Sequence, residues 1–197
     1  QNLSAGNYYV TVTDANGCTA STVATVANIN AAVLTTSIQS QVSCYGGNNG
    51  SASVTIVSGT GPYSYSWSPS GGTTMQASQL PAGTYTISVT DGAGCITPVS
   101  LTITQPPVLT ASATSTDVSC NGGNNGSANA QPTGGTAPYA YSWSPVGGTT
   151  QAPTGLNAGS YTVTITDQQG CTTTAATSIS QPTPVSITMA NTAVSCN

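Results

Sequence analysis

The chain has 197 residues but no lysine, arginine or histidine, and its side-chain carboxylates are Asp14, Asp91, Asp117 and Asp167. Charged residues make up 2% of the chain, against about a quarter in an ordinary soluble domain. Without cationic side chains the chain cannot neutralise phosphates, so we exclude nucleic-acid binding. No apolar run approaches the roughly 20 residues of a membrane-spanning helix, so we expect no membrane insertion of this segment.

The predicted elements are short β-strands separated by turns rich in glycine, proline and asparagine. Tyr63, Tyr65 and Trp67 alternate with serines, a period of two that is typical of a strand with one buried face. No stretch shows the 3.6-residue apolar period of a helix. In chain order, the strands predicted for the first complete repeat are 33–42, 51–57, 63–67, a weaker strand before Leu80, 85–90 and 96–103.

These elements recur along the chain. The string V-S-C ends at residues 44, 120 and 196, and T-D-x-x-G-C ends at residues 18, 95 and 171. A period of about 76 residues suits a small sandwich domain. The sequence therefore predicts tandem immunoglobulin-like antiparallel β-sandwiches. Their predicted bounds are 1–30 for the C-terminal part of a repeat, 31–106 and 107–182 for two full repeats, and 183–197 for the start of the next.

Two kinds of aromatic residue are predicted to lie in the core. Trp67 and Trp143 fall on the third strand, where immunoglobulin-like sandwiches bury a tryptophan against the facing sheet. Tyr8, Tyr85 and Tyr161 each begin a later strand, after an alanine- and glycine-containing turn. This position is typical of a tyrosine corner, in which the hydroxyl bonds to the backbone upstream.

Three strings in each full repeat resemble the SprB repeat family of very long surface proteins in gliding and related Bacteroidetes. The strings are C-Y-G-G-N-N-G-S-A, P-Y-S-Y-S-W-S and L-P-A-G-T-Y-T-I-S-V-T-D, from Cys44, Pro62 and Leu80. They return as C-N-G-G-N-N-G-S-A, P-Y-A-Y-S-W-S and L-N-A-G-S-Y-T-V-T-I-T-D, from Cys120, Pro138 and Leu156. The resemblance implies export by the type IX secretion pathway, a bacterial cell-surface location, and an adhesin or filament role. It supplies no catalytic residues.

Catalytic and metal sites are not expected. The chain has no histidine, no lysine base and no paired carboxylates, so catalytic triads, acid–base pairs and zinc sites each lack a member. We therefore predict no enzyme activity, no cofactor and no metal site. Asp14, Asp91 and Asp167 lie in T-D-x-x-G turns; a calcium ion needs more oxygen ligands than one aspartate supplies, so we favour Asx-turns.

Six cysteines are candidates for structural disulfides, because they recur at fixed places beside glycine-rich turns rather than inside apolar runs. Regular cysteines in a chain of this kind suit an oxidising, extracellular compartment. The candidates are Cys18, Cys44, Cys95, Cys120, Cys171 and Cys196.

Three disulfide pairings repeat with the period. Cys44 fits Cys95 within a repeat, Cys95 fits Cys120 across the linker, and Cys44 fits Cys171 between stacked neighbours. An immunoglobulin-like topology would separate Cys44 from Cys95 by a strand length, beyond the reach of a disulfide, and would favour the stacked pairing. A single cysteine pair per repeat usually closes within that repeat, so both of these pairings remain open.

We predict that the chain is a structural or adhesive repeat segment of a long extracellular cell-surface filament or adhesin. Its partners would be neighbouring repeats and copies of itself in a filament. One alternative is a glycan-binding adhesin module that holds surface polysaccharide through Tyr63 or Tyr139, although we favour core packing for this aromatic stripe. Another alternative is an inert spacer that presents a distal head.

Overall fold

The computed structural model describes Leu3, residues 6–26 and residues 31–191, and within them the chain forms fourteen antiparallel β-strands. The strands are rich in threonine, serine and valine, which suit a pleated surface, while glycine and asparagine occupy the turns. No helix that could span a bilayer occurs in these ranges. The predicted all-β class is confirmed.

The first full repeat contains two three-stranded sheets. One sheet has the order β3–β4–β6 and the other β5–β7–β8. Labelled A, B, C, E, F and G, these strands form the ABE and CFG sheets of an immunoglobulin-like sandwich without strand D. The strands are β3 (Val33–Ser40), β4 (Gly50–Ser58), β5 (Ser64–Ser68), β6 (Gln76–Leu80), β7 (Gly83–Thr90) and β8 (Ile96–Ile103).

The second full repeat has the same arrangement, with sheets β9–β10–β12 and β11–β13–β14. The predicted tandem immunoglobulin-like sandwiches are therefore confirmed. The strands of the second full repeat are β9 (Thr110–Thr116), β10 (Gly126–Thr133), β11 (Ala140–Ser144), β12 (Thr154–Leu156), β13 (Gly159–Thr166) and β14 (Thr172–Ile179).

A separate hairpin precedes these repeats and consists of β1 (Gly6–Thr13) and β2 (Thr19–Val26). It corresponds to β7 and β8. Val10 and Val12 are 48% and 66% exposed, whereas the equivalent residues of β7 are fully buried. In the described ranges no counterpart of β3–β6 packs on this hairpin, which accounts for the difference.

The core of each full repeat lies between its two sheets. Along β7, Tyr85, Ile87 and Val89 are buried, while the threonine and the serine between them lie on the opposite face. The second core consists of nine buried residues. A single core in so short a repeat contributes little beyond about 3–5 kcal/mol, so contacts outside it matter for stability. The nine are Val118, Ala128, Ala130, Trp143, Leu156, Tyr161, Val163, Ile165 and Ile179.

A β-bulge interrupts the E strand of both repeats. The register shifts between Gly50 and Ala52, so β6 contains one extra residue opposite β4. Gln79 lies in this bulge with φ of 57°, and Gly155 occupies the equivalent position in the second repeat with φ of 74°. Glycine adopts this backbone region freely, whereas a residue with a Cβ is strained there.

We expect Gln79→Gly to raise the free energy of unfolding of the first repeat by about 0.5–1 kcal/mol, because it removes this strain. Gly155→Gln should lower the stability of the second repeat by about 1 kcal/mol. A Cβ at Gly155 would meet no atom closer than 3.9 Å, so this loss reports the backbone alone. Denaturant titration followed by tryptophan fluorescence measures both; a destabilised Gln79→Gly variant would contradict the interpretation.

The described chain divides into two compact units. The first extends to Ser40 and resumes from Gly50 to Ile103, and the second comprises Gln41–Asn49 and the residues from Thr104 onward. The segment 41–49 belongs by sequence to the first full repeat but is part of the second unit. Residues 183–191 contain no strand, and residues 192–197 of the predicted fourth repeat lie outside the described residues.

Candidate functional site: the loop and turn cysteines

The cysteines occupy two kinds of position. Loop cysteines follow the first strand of a repeat, and turn cysteines precede its last strand. The loop cysteines are Cys44 and Cys120, and Cys196 has the equivalent place in the sequence repeat. The turn cysteines are Cys18, Cys95 and Cys171. Cys196 lies outside the described residues, so the structure reports on five of the six.

An aspartate fixes the backbone of each turn cysteine. In the second repeat, Asp167 Oδ1 accepts the backbone N–H groups of Gln169 and Cys171, both at 2.9 Å. The backbone N–H of Asp167 donates to the Cys171 carbonyl at 2.9 Å. Asp91 makes the same bonds around Cys95. These are the bonds of an Asx-turn, and within the described ranges no cluster of three metal-ligating side chains occurs.

Side-chain amides hold the loop around Cys44. Asn49 Oδ1 accepts the backbone N–H of Ser43 at 2.9 Å, and Asn49 Nδ2 donates to Ser43 Oγ at 2.6 Å. Gln105, which follows the last strand, accepts the N–H of Gly46 at 2.7 Å. The predicted repeat bounds place Gln105 at the end of the first full repeat, and no role in the Cys44 loop was predicted for it. A glutamine recurs at residue 181, again directly before a proline, and this recurrence could have indicated the role.

A disulfide joins Cys44 to Cys171, with the sulfurs 2.01 Å apart and the Cα atoms 5.7 Å apart. Both cysteines belong to the second compact unit, yet they come from successive sequence repeats and are 127 residues apart. Cys18, Cys95 and Cys120 are free thiols. The predicted presence of a structural disulfide is confirmed for this pair.

The other two pairings are absent from the structure. The Cys44 loop lies at the end of β8, since the N–H of Val42 donates to the Thr104 carbonyl at 3.0 Å. Cys95 lies before the beginning of β8, and eight residues of strand separate the two ends by about 25 Å. A disulfide requires Cα atoms within about 7 Å, so the within-repeat pairing of Cys44 with Cys95 is wrong.

The predicted core tryptophans lie between the sheets of their repeats. Trp67 and Trp143 are each 6% exposed. Trp67 Nε1 donates to the Thr74 carbonyl at 2.9 Å, and Trp143 Nε1 donates to the Thr150 carbonyl at 3.0 Å. The polar edge of each indole is therefore satisfied, which allows its ring to fill the core.

The predicted corner tyrosines bond to backbone four residues upstream in both full repeats. The Tyr85 hydroxyl donates to the Pro81 carbonyl at 2.9 Å, and the Tyr161 hydroxyl donates to the Asn157 carbonyl at 3.0 Å. Tyr8 occupies the equivalent place in β1 and is half-buried. The bond ties the loop before strand F to the core.

We expect Tyr85→Phe and Tyr161→Phe each to lower the free energy of unfolding by about 1 kcal/mol, because each leaves a backbone carbonyl without its donor while the ring stays packed. Thermal unfolding of the two variants measures the loss. Tyr45→Phe is the matched control, since Tyr45 is 59% exposed. Equal melting temperatures for all three variants would show that the corner bond does not stabilise the fold.

Tyr63 and Tyr139, the predicted polysaccharide contacts, are half-buried. Tyr139 packs against the second core, and its hydroxyl donates to the Gly134 carbonyl at 2.6 Å. This environment is that of a core residue at the edge of a sandwich. Polysaccharide binding through these tyrosines stays a prediction.

No curated protein sequence matches the chain significantly. One similar solved structure, on Dscam isoform specificity, has 12% sequence identity and a TM-score of 0.34, and the match covers 85% of this chain and 52% of that chain. A C-terminal intimin fragment in complex with the intimin-binding domain of Tir has 14% identity and a TM-score of 0.35, with 79% of this chain and 64% of that chain covered. The ectodomain of mouse nectin-like molecule 4 has 13% identity and a TM-score of 0.37, with 85% of this chain and 72% of that chain covered. The chain therefore spans about half the length of the Dscam chain that it matches.

The family match falls on both full repeats. The SprB repeat model matches residues 36–72 and residues 112–148. Each match begins in the first strand and ends just after the strand that carries the core tryptophan, so it includes the loop cysteine. The resemblance to the SprB repeat family noted from the sequence is confirmed for these two segments.

Proposed function

We propose that the chain is a structural segment of an extracellular filament or adhesin on a bacterial cell surface, in which disulfides tie successive repeats together. The observation that carries this proposal is the bond between Cys44 and Cys171, which joins one sequence repeat to the next. A single cysteine pair per repeat usually closes within that repeat, whereas this bond joins cysteines of two successive sequence repeats. Such a link suits a chain that has to withstand extension.

The position of the bond supports a mechanical role. The Gln105-Pro106-Pro107 linker lies between the two cysteines in sequence, so the disulfide closes a covalent ring that includes the linker. A pulling force on the chain is then shared between the linker and the disulfide. Disulfides persist in oxidising compartments, which supports an extracellular location together with the SprB match.

The surface chemistry supports packing against further copies. The chain has no lysine or arginine, and its outward strand positions are mostly hydroxyl-bearing. Such faces can approach one another without burying unpaired charges, which is costly. The same composition removes every tryptic cleavage site, an advantage for a protein exposed outside the cell.

Negative-stain electron microscopy of the purified native protein tests the proposal. Ordered fibres thicker than one sandwich are expected if repeats of several chains pack laterally. Single strands one domain wide would support a tether or spacer within the same structural class. Compact globular particles would contradict a filament role. Treatment with reductant is the internal control, because filaments whose repeats are tied together by disulfides should have a shorter end-to-end distance after reduction.

A further inference from the structure

We propose that Cys95 and Cys120 are open half-sites of a repeating disulfide, in which the loop cysteine of each repeat bonds the turn cysteine of the next. The observed bond joins the loop cysteine of the first full repeat to the turn cysteine of the second. Applied along the chain, this rule pairs Cys44 with Cys171 and gives no other pair within the 197 residues. The rule therefore accounts for the free thiols as well as the bond.

The loop around the free Cys120 has the same geometry as the loop around the bonded Cys44. Asn125 accepts the N–H of Ser119 at 3.1 Å and donates to Ser119 Oγ at 2.8 Å. Gln181 accepts the N–H of Gly122 at 2.9 Å. These bonds repeat those made by the asparagine and glutamine around Cys44. The loop is thus shaped by its own hydrogen bonds, without a disulfide, and presents an exposed Cys120 thiol.

The turns around the free Cys18 and Cys95 match the turn around the bonded Cys171. The aspartate Oδ1 accepts the cysteine N–H at 2.8 Å for Cys18 and at 2.9 Å for Cys95 and Cys171. The glycine before each cysteine has φ of 84° in all three turns. The backbone that positions the bonded sulfur is therefore already built at the free turn cysteines.

Because the loop around one cysteine and the turn around the other are both already in the bonded conformation, a further repeat favours formation of the disulfide. Forming it removes two protons and two electrons from the two thiols, and a disulfide oxidant such as oxidised glutathione accepts both and is reduced to two thiols. The proposal deepens the structural role proposed above, because a repeated bond would tie every repeat to the next rather than one pair alone.

A chain lengthened by one repeat tests this proposal. A copy of residues 107–182 is inserted after residue 182, which supplies Cys120 with a turn cysteine in the next repeat. Both the parent and the lengthened chain are oxidised with glutathione disulfide, unfolded without reductant, and alkylated with N-ethylmaleimide. The rule predicts four reactive thiols in the parent chain and still four in the lengthened chain, although two cysteines were added.

Peptide mapping locates the new bond, and a variant with C120S in the inserted copy, which removes the second identical thiol peptide, assigns the bond to Cys120. The chain lacks tryptic sites, but a protease that cuts before aspartate separates residues 91–116, 117–166 and 167–197. In the lengthened chain we expect a disulfide to join the peptide 117–166 to the peptide 167–197, which in that chain begins in the inserted copy. The matched control carries C171S in the inserted copy, and it should show five reactive thiols and no such pair.

Several results would overturn the proposal. Six reactive thiols in the lengthened chain would show that Cys120 does not bond the following repeat. A peptide joining 91–116 to 117–166 would show a bond across the linker, and covalent dimers would show pairing between chains. These readouts concern purified protein, so their failure would leave a cell-surface role intact. Globular particles in the microscope would reject that role without affecting the bond.

Discussion

Replacing Cys44 and Cys171 together by serine should lower the free energy of unfolding of the second compact unit by about 2–5 kcal/mol. The cysteines are 127 residues apart, and closing a loop of this length restricts the unfolded chain by about 5 kcal/mol in the chain-entropy description. This effect is comparable with what the small core contributes. Denaturant unfolding of the oxidised chain and the double variant measures the difference.

Cys120→Ser is the matched control for the disulfide variant. Cys120 lies in a loop with the same hydrogen bonds but forms no disulfide in this chain, so its replacement should leave the unfolding midpoint unchanged. Reductant should destabilise the parent chain to the level of the double variant. If the double variant unfolds at the same denaturant concentration as the parent, the bond does not stabilise the unit.

Gly134→Ser should lower the free energy of unfolding of the second repeat by about 3 kcal/mol. Gly134 has φ of 73°, and a Cβ added there would lie 2.0 Å from the Val108 carbonyl oxygen. The loop must therefore move in the variant. Movement would withdraw the N–H of Thr136, which donates to Asp167 Oδ2 at 2.9 Å, and a buried carboxylate oxygen would lose its partner, a cost of about 1–3 kcal/mol.

The first repeat shows the arrangement that this variant should reach. Ser58 stands where the second repeat has Gly134. Asp91 is buried like its counterpart, but its Oδ2 has no hydrogen-bond partner among the described residues. A serine cannot readily take the glycine conformation, so this loop follows another path. The two repeats thus already differ by the substitution under test.

Ser58→Gly is the matched control for Gly134→Ser. It adds a glycine to a loop that is built without one at this position, so we expect a change within about 0.5 kcal/mol. Hydrogen exchange at Thr136 supplies a second readout, since its N–H should lose protection in Gly134→Ser. Unchanged stability together with unchanged exchange at Thr136 would rule out the explanation.

The strands and the core could be predicted from local pattern. The alternation of Tyr85, Ile87 and Val89 with hydroxyl-bearing residues indicated strand F and its buried face, because side chains alternate across a strand. Trp67 and Trp143 were placed in the core by their position on the third strand. The bulge at Gln79 could not be predicted, since it depends on the register between β4 and β6 rather than on either strand alone.

The sequence by itself determined the period, the strands, the two classes of cysteine and the resemblance to SprB repeats, because each of these is a local pattern repeated at a constant interval. Which sulfurs meet was decided by the tertiary structure. The period allowed Cys44 to pair with Cys95 or with Cys171. Which of these two disulfides forms depends on which strand ends lie close together in the folded chain. That is a property of the folded sheets: β8 places Cys95 a strand length from the Cys44 loop, while Cys171 lies within disulfide distance of it.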